Sequence, residues 1–205
     1  PTDPRVLVAA ILWAIEGEQY DQARVFVERL SQSANGDANV GRMQGIVARF
    51  VGDFPAAETA FQRLVSEDLS DFAASNQLAL VLLEQDDSDK QRRALQLAEL
   101  NYRQYPRAVD ARATLGWVYF RQGRLDEADQ VFSSIVPPEQ VAGDSAYYAA
   151  KVHLERGRNE VAKSMLTTAV TGRGTFTQRR AAIDLLEVLN SSEKSPSPDS
   201  DARPQ

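Results

Sequence analysis

A spacing of about 34 residues recurs through this sequence and constrains its fold more than any other feature, because a fixed period indicates repeated structural units. The marker is an alanine that follows a turn and precedes an apolar residue four positions later. It occurs at Ala23, Ala57, Ala94, Ala128 and Ala162, and the successive spacings are 34, 37, 34 and 34. In arrays with such a period each repeat packs on its neighbours. The chain is therefore predicted to be a stack of similar units.

Turn glycines provide an independent check on the period. Gly123 and Gly157 differ by 34 in position, whereas Gly52 and Gly123 differ by 71, which is two periods plus three. Both markers thus locate a three-residue insertion in the third unit. The polar segment 84–90 is its predicted position.

Each unit has the pattern of two helices joined by a turn. In the fourth unit, Ala111, Leu115 and Tyr119 fall on one side of a helix with 3.6 residues per turn. Gly123 is predicted to end that helix, because glycine readily adopts the left-handed conformation at helix ends. The prolines at 137–138 are predicted to end the second helix. No sustained alternation of period 2 indicates strands.

Small residues at equivalent positions predict where the two helices of a unit cross most closely. In the first helices these residues are Gly45, Ala79, Gly116 and Ala150, and the facing residues of the second helices are Ala57, Ala128 and Ala162. A larger side chain at such a crossing forces the helices apart and costs roughly 1–3 kcal/mol.

These residues resemble the tetratricopeptide repeat (TPR) family, whose repeat is about 34 residues long. The fourth unit matches best, with Leu115-Gly116-x2-Tyr119 followed by Ala128-x3-Phe132, although Arg112 replaces the family's leading Trp. In the fifth unit, His153 occupies the Tyr position. The resemblance implies an all-α fold: a right-handed α-solenoid of about five TPR-like helical hairpins and a C-terminal capping helix.

The domain prediction is a single superhelical domain over residues 1–190 and a flexible tail over 191–205, which is rich in Ser, Pro and Asp. The predicted units are 4–37, 38–71, 72–108, 109–142 and 143–174, followed by a capping helix at 175–190.

The composition offers little catalytic chemistry. The chain has one histidine, no cysteine and a net charge of −6, which weighs against nucleic acid and anionic lipid as ligands. The segment GRGTF at 172–176 lacks the Lys-Ser/Thr ending of a phosphate loop. The acidic residues Asp86, Asp87 and Asp89 lack the glycine and spacing of a Ca²⁺ loop. We therefore expect no enzymatic activity, no catalytic residue, no cofactor and no metal site.

The compartment stays open between the bacterial cytoplasm and the periplasm. Arginine far outnumbers lysine, a bias that resembles proteins of G+C-rich bacterial genomes. The longest apolar run, residues 6–15, is shorter than the roughly 18–20 residues that a membrane helix requires. Because the sequence begins with Pro1 rather than Met, we expect a trimmed chain, and any targeting region or anchor would lie outside it.

The resemblance implies that the first helix of each hairpin lines a concave groove. The side opposite the Leu/Gly/Tyr positions holds the predicted groove residues, which are Arg42, Arg49, Asn76, Thr114, Trp117, Tyr147, Tyr148 and Lys151. The aromatic members suit anchoring of a peptide, but packing between adjacent hairpins is an equal alternative for them. The Lys/Asn pattern with which some TPR proteins clamp a carboxylate is not met.

Two functions follow from these observations. The first is a non-enzymatic scaffold that binds a peptide or helix of a partner protein in the groove. The alternative is an accessory TPR region of a larger enzyme or membrane-anchored protein that mediates self-association or assembly. The partner is therefore expected to be a protein or peptide, with a homo-oligomer left open, and not a nucleic acid; no membrane span is expected in the chain.

Overall fold

The computed structural model describes residues 3–33, 37–135, 141–172 and 174–192, which form eleven α-helices and no strand. The all-α prediction is thereby confirmed. The helices are α1 (Pro4–Glu16), α2 (Tyr20–Ser33), α3 (Ala38–Phe50), α4 (Phe54–Glu67), α5 (Phe72–Leu83), α6 (Ser88–Gln104), α7 (Val109–Arg121), α8 (Leu125–Ser133), α9 (Gly143–Glu155), α10 (Asn159–Thr171) and α11 (Arg179–Ser192).

The helices belong to two compact units, Pro1–Val141 and Ala142–Gln205. In the first unit, α1/α2, α3/α4, α5/α6 and α7/α8 form four hairpins. Each hairpin packs on the next because its second helix contacts the following first helix, as α2 contacts α3. In the second unit, α9 and α10 form a hairpin and α11 packs on α10.

Left-handed residues make the turns inside the hairpins. Gly52, Gly123 and Gly157 have φ angles of 77°, 74° and 71°, which confirms their predicted role as turn glycines. In the first hairpin the equivalent turn position, one repeat before Gly52, is occupied by Glu18, whose φ angle is 55°. This conformation costs a residue with a side chain roughly 1–2 kcal/mol. The first hairpin therefore carries backbone strain that glycine avoids elsewhere.

The two helices of a hairpin approach most closely where a glycine meets a phenyl ring. A Cβ atom added to Gly45 would lie 2.6 Å from Cζ of Phe61, and one added to Gly116 would lie 2.7 Å from Cε2 of Phe132. The close crossings at these two glycines are thus confirmed. The rings that fill them belong to the residues four positions after the predicted facing alanines.

The three-residue insertion is an additional turn at the start of α6. This helix has 17 residues, whereas α2 and α4 each have 14. Asp87 caps α6 by accepting hydrogen bonds from the backbone N–H groups of Asp89 and Lys90. Nζ of Lys90 then lies 2.6 Å from Oε2 of Glu58 on α4. The insertion falls inside the segment 84–90, as the period predicts.

Several sequence expectations lie outside the described residues. The prolines at 137–138 are among them, and α8 already ends at Ser133. Residues 193–205, most of the tail expected at 191–205, and Arg173 within the GRGTF segment are also outside.

Replacing Glu18 by glycine should stabilise the chain by about 1 kcal/mol, because glycine adopts the left-handed conformation without strain. Chemical denaturation followed by circular dichroism measures the free energy of unfolding. Glu18→Ala is the matched control, since it removes the same charge and keeps a Cβ atom. Equal effects of the two substitutions would contradict the strain at this turn.

Replacing Gly45 by alanine should lower the free energy of unfolding by about 1–2 kcal/mol, because overpacking costs more than alanine gains in helix propensity. The new Cβ would overlap the buried ring of Phe61. In Gly17→Ala the nearest atoms to the new Cβ lie 3.6 Å away, so the change should stay within about 0.5 kcal/mol. A neutral Gly45→Ala in the same denaturation assay would show that the hairpin does not depend on this contact.

Candidate functional site

The central first helices are buried on nearly every side. On α5 the residues Ala74–Leu83 are buried except Gln77, and on α7 a continuous run from Ala113 to Val118 is buried. The expectation that each first helix keeps one face open to a groove is therefore wrong for α5 and α7. The physical reason is that α5 contacts α6 of its own hairpin, α4 of the preceding hairpin and the adjacent first helix α7.

Three predicted groove residues lie on these two helices, and all are buried. Asn76, Thr114 and Trp117 are 6%, 2% and 5% exposed. The Trp117 ring stacks on Phe120 with centroids 5.3 Å apart, and the guanidinium of Arg121 lies 5.6 Å from the indole centroid. These contacts favour the packing alternative for Trp117. A ligand-binding role for the three residues stays a prediction.

Arg42 is held on α3 by the start of α5. Its Nη2 donates to Oδ2 of Asp71 at 2.9 Å, and its Nη1 donates to Oδ1 at 3.3 Å. Asp71 is also the N-cap of α5 and accepts from the backbone N–H of Ala74. Burial raises the pKa of the Asp71 carboxyl, but the hydrogen bonds from Arg42 and the backbone outweigh it, so this pKa is lowered. Arg42 is therefore oriented by a carboxylate that also anchors the next helix.

Arg49 is oriented by α5 in a similar way. Its Nη1 donates to Oε1 of Gln77 at 2.9 Å. Arg42 and Arg49 are seven positions apart, so they lie on one side of α3 about 10 Å from each other along the helix axis. Both are only partly buried. The structure thus brings two predicted groove residues together as a cationic pair beside α5.

The remaining predicted groove residues lie on α9 in the second unit. Tyr148 is buried, whereas Tyr147 and Lys151 are half-buried. The two tyrosine rings meet edge to face with centroids 6.2 Å apart. His153 on the same helix is buried, in agreement with its predicted packing position. A ligand-binding role for the three groove residues stays a prediction.

Sequence reasoning missed the residues that orient the arginines. Asp71, Gln77 and Glu84 were not candidates, yet each accepts a hydrogen bond from an arginine on a neighbouring first helix; for Glu84 the donor is Arg121, at 3.1 Å. Asp71 had a readable signal, because an aspartate before an apolar run is typical of an N-cap. No signal in the sequence indicates which of these residues pair between helices.

The buried side chain of Asn76 on α5 has a hydrogen-bond acceptor that the described residues leave unsatisfied. Oδ1 of Asn76 is buried and accepts no hydrogen bond from the described residues. Such an acceptor costs about 1–3 kcal/mol if it stays unsatisfied. The neighbouring Ser75 hydroxyl donates to Oδ1 of Asn101 at 3.0 Å.

A separate hollow lies between α2 and α4, over α3. Its volume is about 670 Å³, and small residues such as Ala48, Ala56 and Ala60 line it. The equivalent hollow between α6 and α8 is about 450 Å³, because Tyr119 and Tyr102 contribute larger side chains there. The sequence analysis did not identify either surface.

The described residues contain no group of three or more His, Cys, Asp or Glu side chains placed to hold a metal ion. Within the same ranges, no helix has the length and apolar character needed to cross a membrane.

A tetratricopeptide repeat family model matches residues 42–102 and 91–145. The two matches overlap and together span slightly more than half of the chain. The chain belongs to the tetratricopeptide repeat family. TPR repeats form non-enzymatic interaction modules, and family membership therefore supports the expectation that the chain is not an enzyme.

Two solved TPR structures illustrate the shared fold. TTC0263, a thermophilic TPR protein of Thermus thermophilus, has a TM-score of 0.73 and 17% identity, over 93% of this chain and 98% of that one. MamA from Desulfovibrio magneticus RS-1, residue 41 to the end, has a TM-score of 0.56 and 16% identity, over 94% and 97%. No curated protein matches the chain in sequence. The similarities establish a TPR solenoid fold.

Replacing Asp71 should separate its two roles. Asp71→Asn keeps a capping side chain but removes the charge opposite Arg42, and we expect a loss of about 1 kcal/mol in stability. Asp71→Ala also removes the cap and should cost about 1 kcal/mol more. Urea denaturation of the three proteins at neutral pH measures both losses.

The loss in Asp71→Asn should depend on pH. Because the native pKa of Asp71 is lowered, its stabilisation is complete above the ordinary carboxyl pKa of 3.8 and disappears as the pH falls through the lowered native value. Urea denaturation at a series of acidic pH values should therefore bring the wild-type and Asp71→Asn stabilities together. A constant difference at every pH would show that the carboxylate charge does not contribute.

Proposed function

We propose that this chain is a protein-interaction scaffold that binds an acidic or carboxylate-bearing peptide beside α3 and the edge of α5 in its first unit. The coarser part, that the chain is a TPR module that binds proteins or peptides, follows from the family. The finer part, that predicted groove residues bind this peptide, is our proposal.

The observation that carries the proposal is the cationic pair Arg42 and Arg49 on α3. Both guanidinium groups are partly exposed and are oriented by Asp71 and Gln77 on the neighbouring helix. Orientation on a rigid element lowers the entropy that an arginine loses when it binds a ligand. The planar guanidinium matches a carboxylate with two parallel hydrogen bonds. Because both Nη groups of Arg42 already donate to Asp71, Arg49 is the cation that we assign to the carboxylate of an acidic segment.

The buried aromatic residues have a supporting role in this proposal. Trp117 packs against Phe120 and Arg121, so it stiffens the helix layer beneath a ligand. Trp117→Ala would leave a cavity and lower stability by about 3–5 kcal/mol, and loss of binding in that variant would not identify a contact. Substitution of the exposed cations is the sharper test.

The test is a displayed library of acidic and neutral peptides, screened against the immobilised chain. Selected acidic peptides should bind the Arg49→Gln variant about tenfold more weakly, because one charge-assisted hydrogen bond contributes roughly 1.5–3 kcal/mol at most. Binding should also weaken as the salt concentration rises. Titration calorimetry measures both effects.

Arg24→Gln is the matched control, since it removes one exposed arginine from the second helix α2. Circular dichroism of all variants must show unchanged helix content. Selection of no peptide, or equal affinity of the Arg49→Gln and Arg24→Gln variants, would remove the support for this face.

A further inference from the structure

The outer face of α1 is apolar and exposed. Val6, Leu12 and Trp13 are 49%, 49% and 59% exposed, and they are three of the eight large hydrophobic residues with high exposure in the described ranges. Arg5 and Glu16 are the only residues of this 13-residue helix with polar or charged side chains. A helix that is apolar all round is normally covered by other protein.

Of the seven exposed residues of α1, all except Pro4 form a continuous stripe. At about 100° per residue they fall within one third of the helix circumference. The stripe consists of Arg5, Val6, Ala9, Leu12, Trp13 and Glu16, and all six are exposed. The opposite side holds the buried residues Leu7, Ile11, Ala14 and Ile15. We call the six exposed residues the α1 stripe.

Later hairpins of the first unit bury the Val6 and Trp13 side of this face, and the equivalents of Val6 are the buried residues Val40, Ala74 and Ala111. The residues equivalent to Trp13 by the repeat spacing are Val47, Val81 and Val118, and all three are buried. In α3, Val47 belongs to one buried cluster with Val27 and Leu30 of the preceding helix α2. The Val6 and Trp13 side of the α1 stripe therefore corresponds to a stacking interface of the repeat that no helix of the described first unit covers, with a tryptophan in place of the valine.

The charges of the stripe indicate the direction of a covering helix. Arg5 lies in the first turn of α1 and Glu16 is its last residue, and the helix has no acidic residue in its first turn and no basic residue in its last. Asp3 caps the N-terminus of α1 and lies 3.8 Å from Nε of Arg5. Glu16 at the last residue opposes the helix dipole, which favours cations at the C-terminus. A helix that runs antiparallel beside it presents its C-terminus to Arg5 and its N-terminus to Glu16. The charges then become favourable.

We propose that a second copy of this chain covers the stripe, with α1 packed antiparallel against α1 of the second copy about a two-fold axis. Arg5, Ala9, Leu12 and Glu16 have spacings of four, three and four positions, the seam that packed helices use. Two such seams in antiparallel order place Ala9 opposite Leu12 and Arg5 opposite Glu16 in both directions. The same patch on each copy is thus complementary to itself, as a two-fold interface requires.

Val6 and Trp13 lie together on one side of this seam, and the pairing buries them against the same side of the second copy. Two 13-residue helix faces bury less area than the roughly 1,200–2,000 Å² of a standard interface. The dimer is therefore reversible and dissociates on dilution. The inference does not rest on the proposed peptide binding, which uses α3 and α5.

Sedimentation velocity of the full chain over a wide range of concentration tests the proposal. The wild type should pass from monomer to dimer as concentration rises. Arg5→Glu should raise the dissociation constant about tenfold or more, because it sets a glutamate against Glu16 of the second copy, and like charges in contact are destabilising. Glu16→Arg should do the same by setting two arginines together. The double variant Arg5→Glu/Glu16→Arg should restore the dimer.

Rescue by the double reversal is specific to a self-complementary antiparallel pair. Arg29→Glu on α2 makes the same charge change at another exposed position and should have no effect. A monomeric wild type at all concentrations overturns the proposal. Single variants that dimerise as tightly as the wild type, or a double variant that stays monomeric, overturn the antiparallel pairing of Arg5 with Glu16 equally.

Trp13 gives a second readout. Trp117→Phe leaves Trp13 as the only tryptophan, and its emission should shift to shorter wavelength as the dimer forms. Trp13→Ala should remain monomeric with unchanged helix content. An emission maximum in Trp117→Phe that does not change with concentration overturns the burial of Trp13. Dimerisation should be unchanged in the peptide-binding variant Arg49→Gln, which separates failure of this proposal from failure of the proposed function.

Discussion

The close crossing of the two helices within a hairpin is the constraint on which the rest of this structure depends, and in α3/α4 and α7/α8 a contact between a glycine backbone and a phenyl ring allows it. At Gly45 and Gly116 the rings of Phe61 and Phe132 occupy the space that any Cβ would fill. This contact lets the two helices of a hairpin cross closely, and the second helix then reaches the first helix of the next hairpin. In these two hairpins the close crossing depends on the absence of a Cβ atom at the glycine.

Close stacking decides which side chains remain available for function. It encloses α5 and α7 almost completely, so Trp117 and Thr114 become part of the packed interior. Charged residues at the edges of the layer keep contact with solvent, and side chains of the next helix orient them, as Asp71 orients Arg42. The same geometry leaves the outer face of α1 without a neighbour inside the first unit. Both proposals therefore concern residues that the stacking of hairpins leaves at least partly exposed.

The sequence predicted the helices, turns and insertion well because these features depend on local chemistry. Gly123 ends α7 through its own backbone preference, and a shift in the period reveals the three residues added at the start of α6. Exposure was harder to predict. Helical periodicity divides a helix into two sides, but it contains no information about a neighbouring hairpin that covers the second side. For this reason the sequence left Trp117 equally between a groove and packing, and the structure buries it.

The pairing of residues from different hairpins shows the same limit. The repeat spacing by itself determined that the chain is an all-α array of TPR hairpins, because periodic apolar and small residues define each unit without reference to the others. Only the tertiary structure decided that Asp71 meets Arg42, that Gln77 meets Arg49 and that Trp13 stays exposed. These outcomes depend on the rotation and offset between neighbouring units. The packing of side chains across the interface sets both quantities, and no repeat encodes them alone.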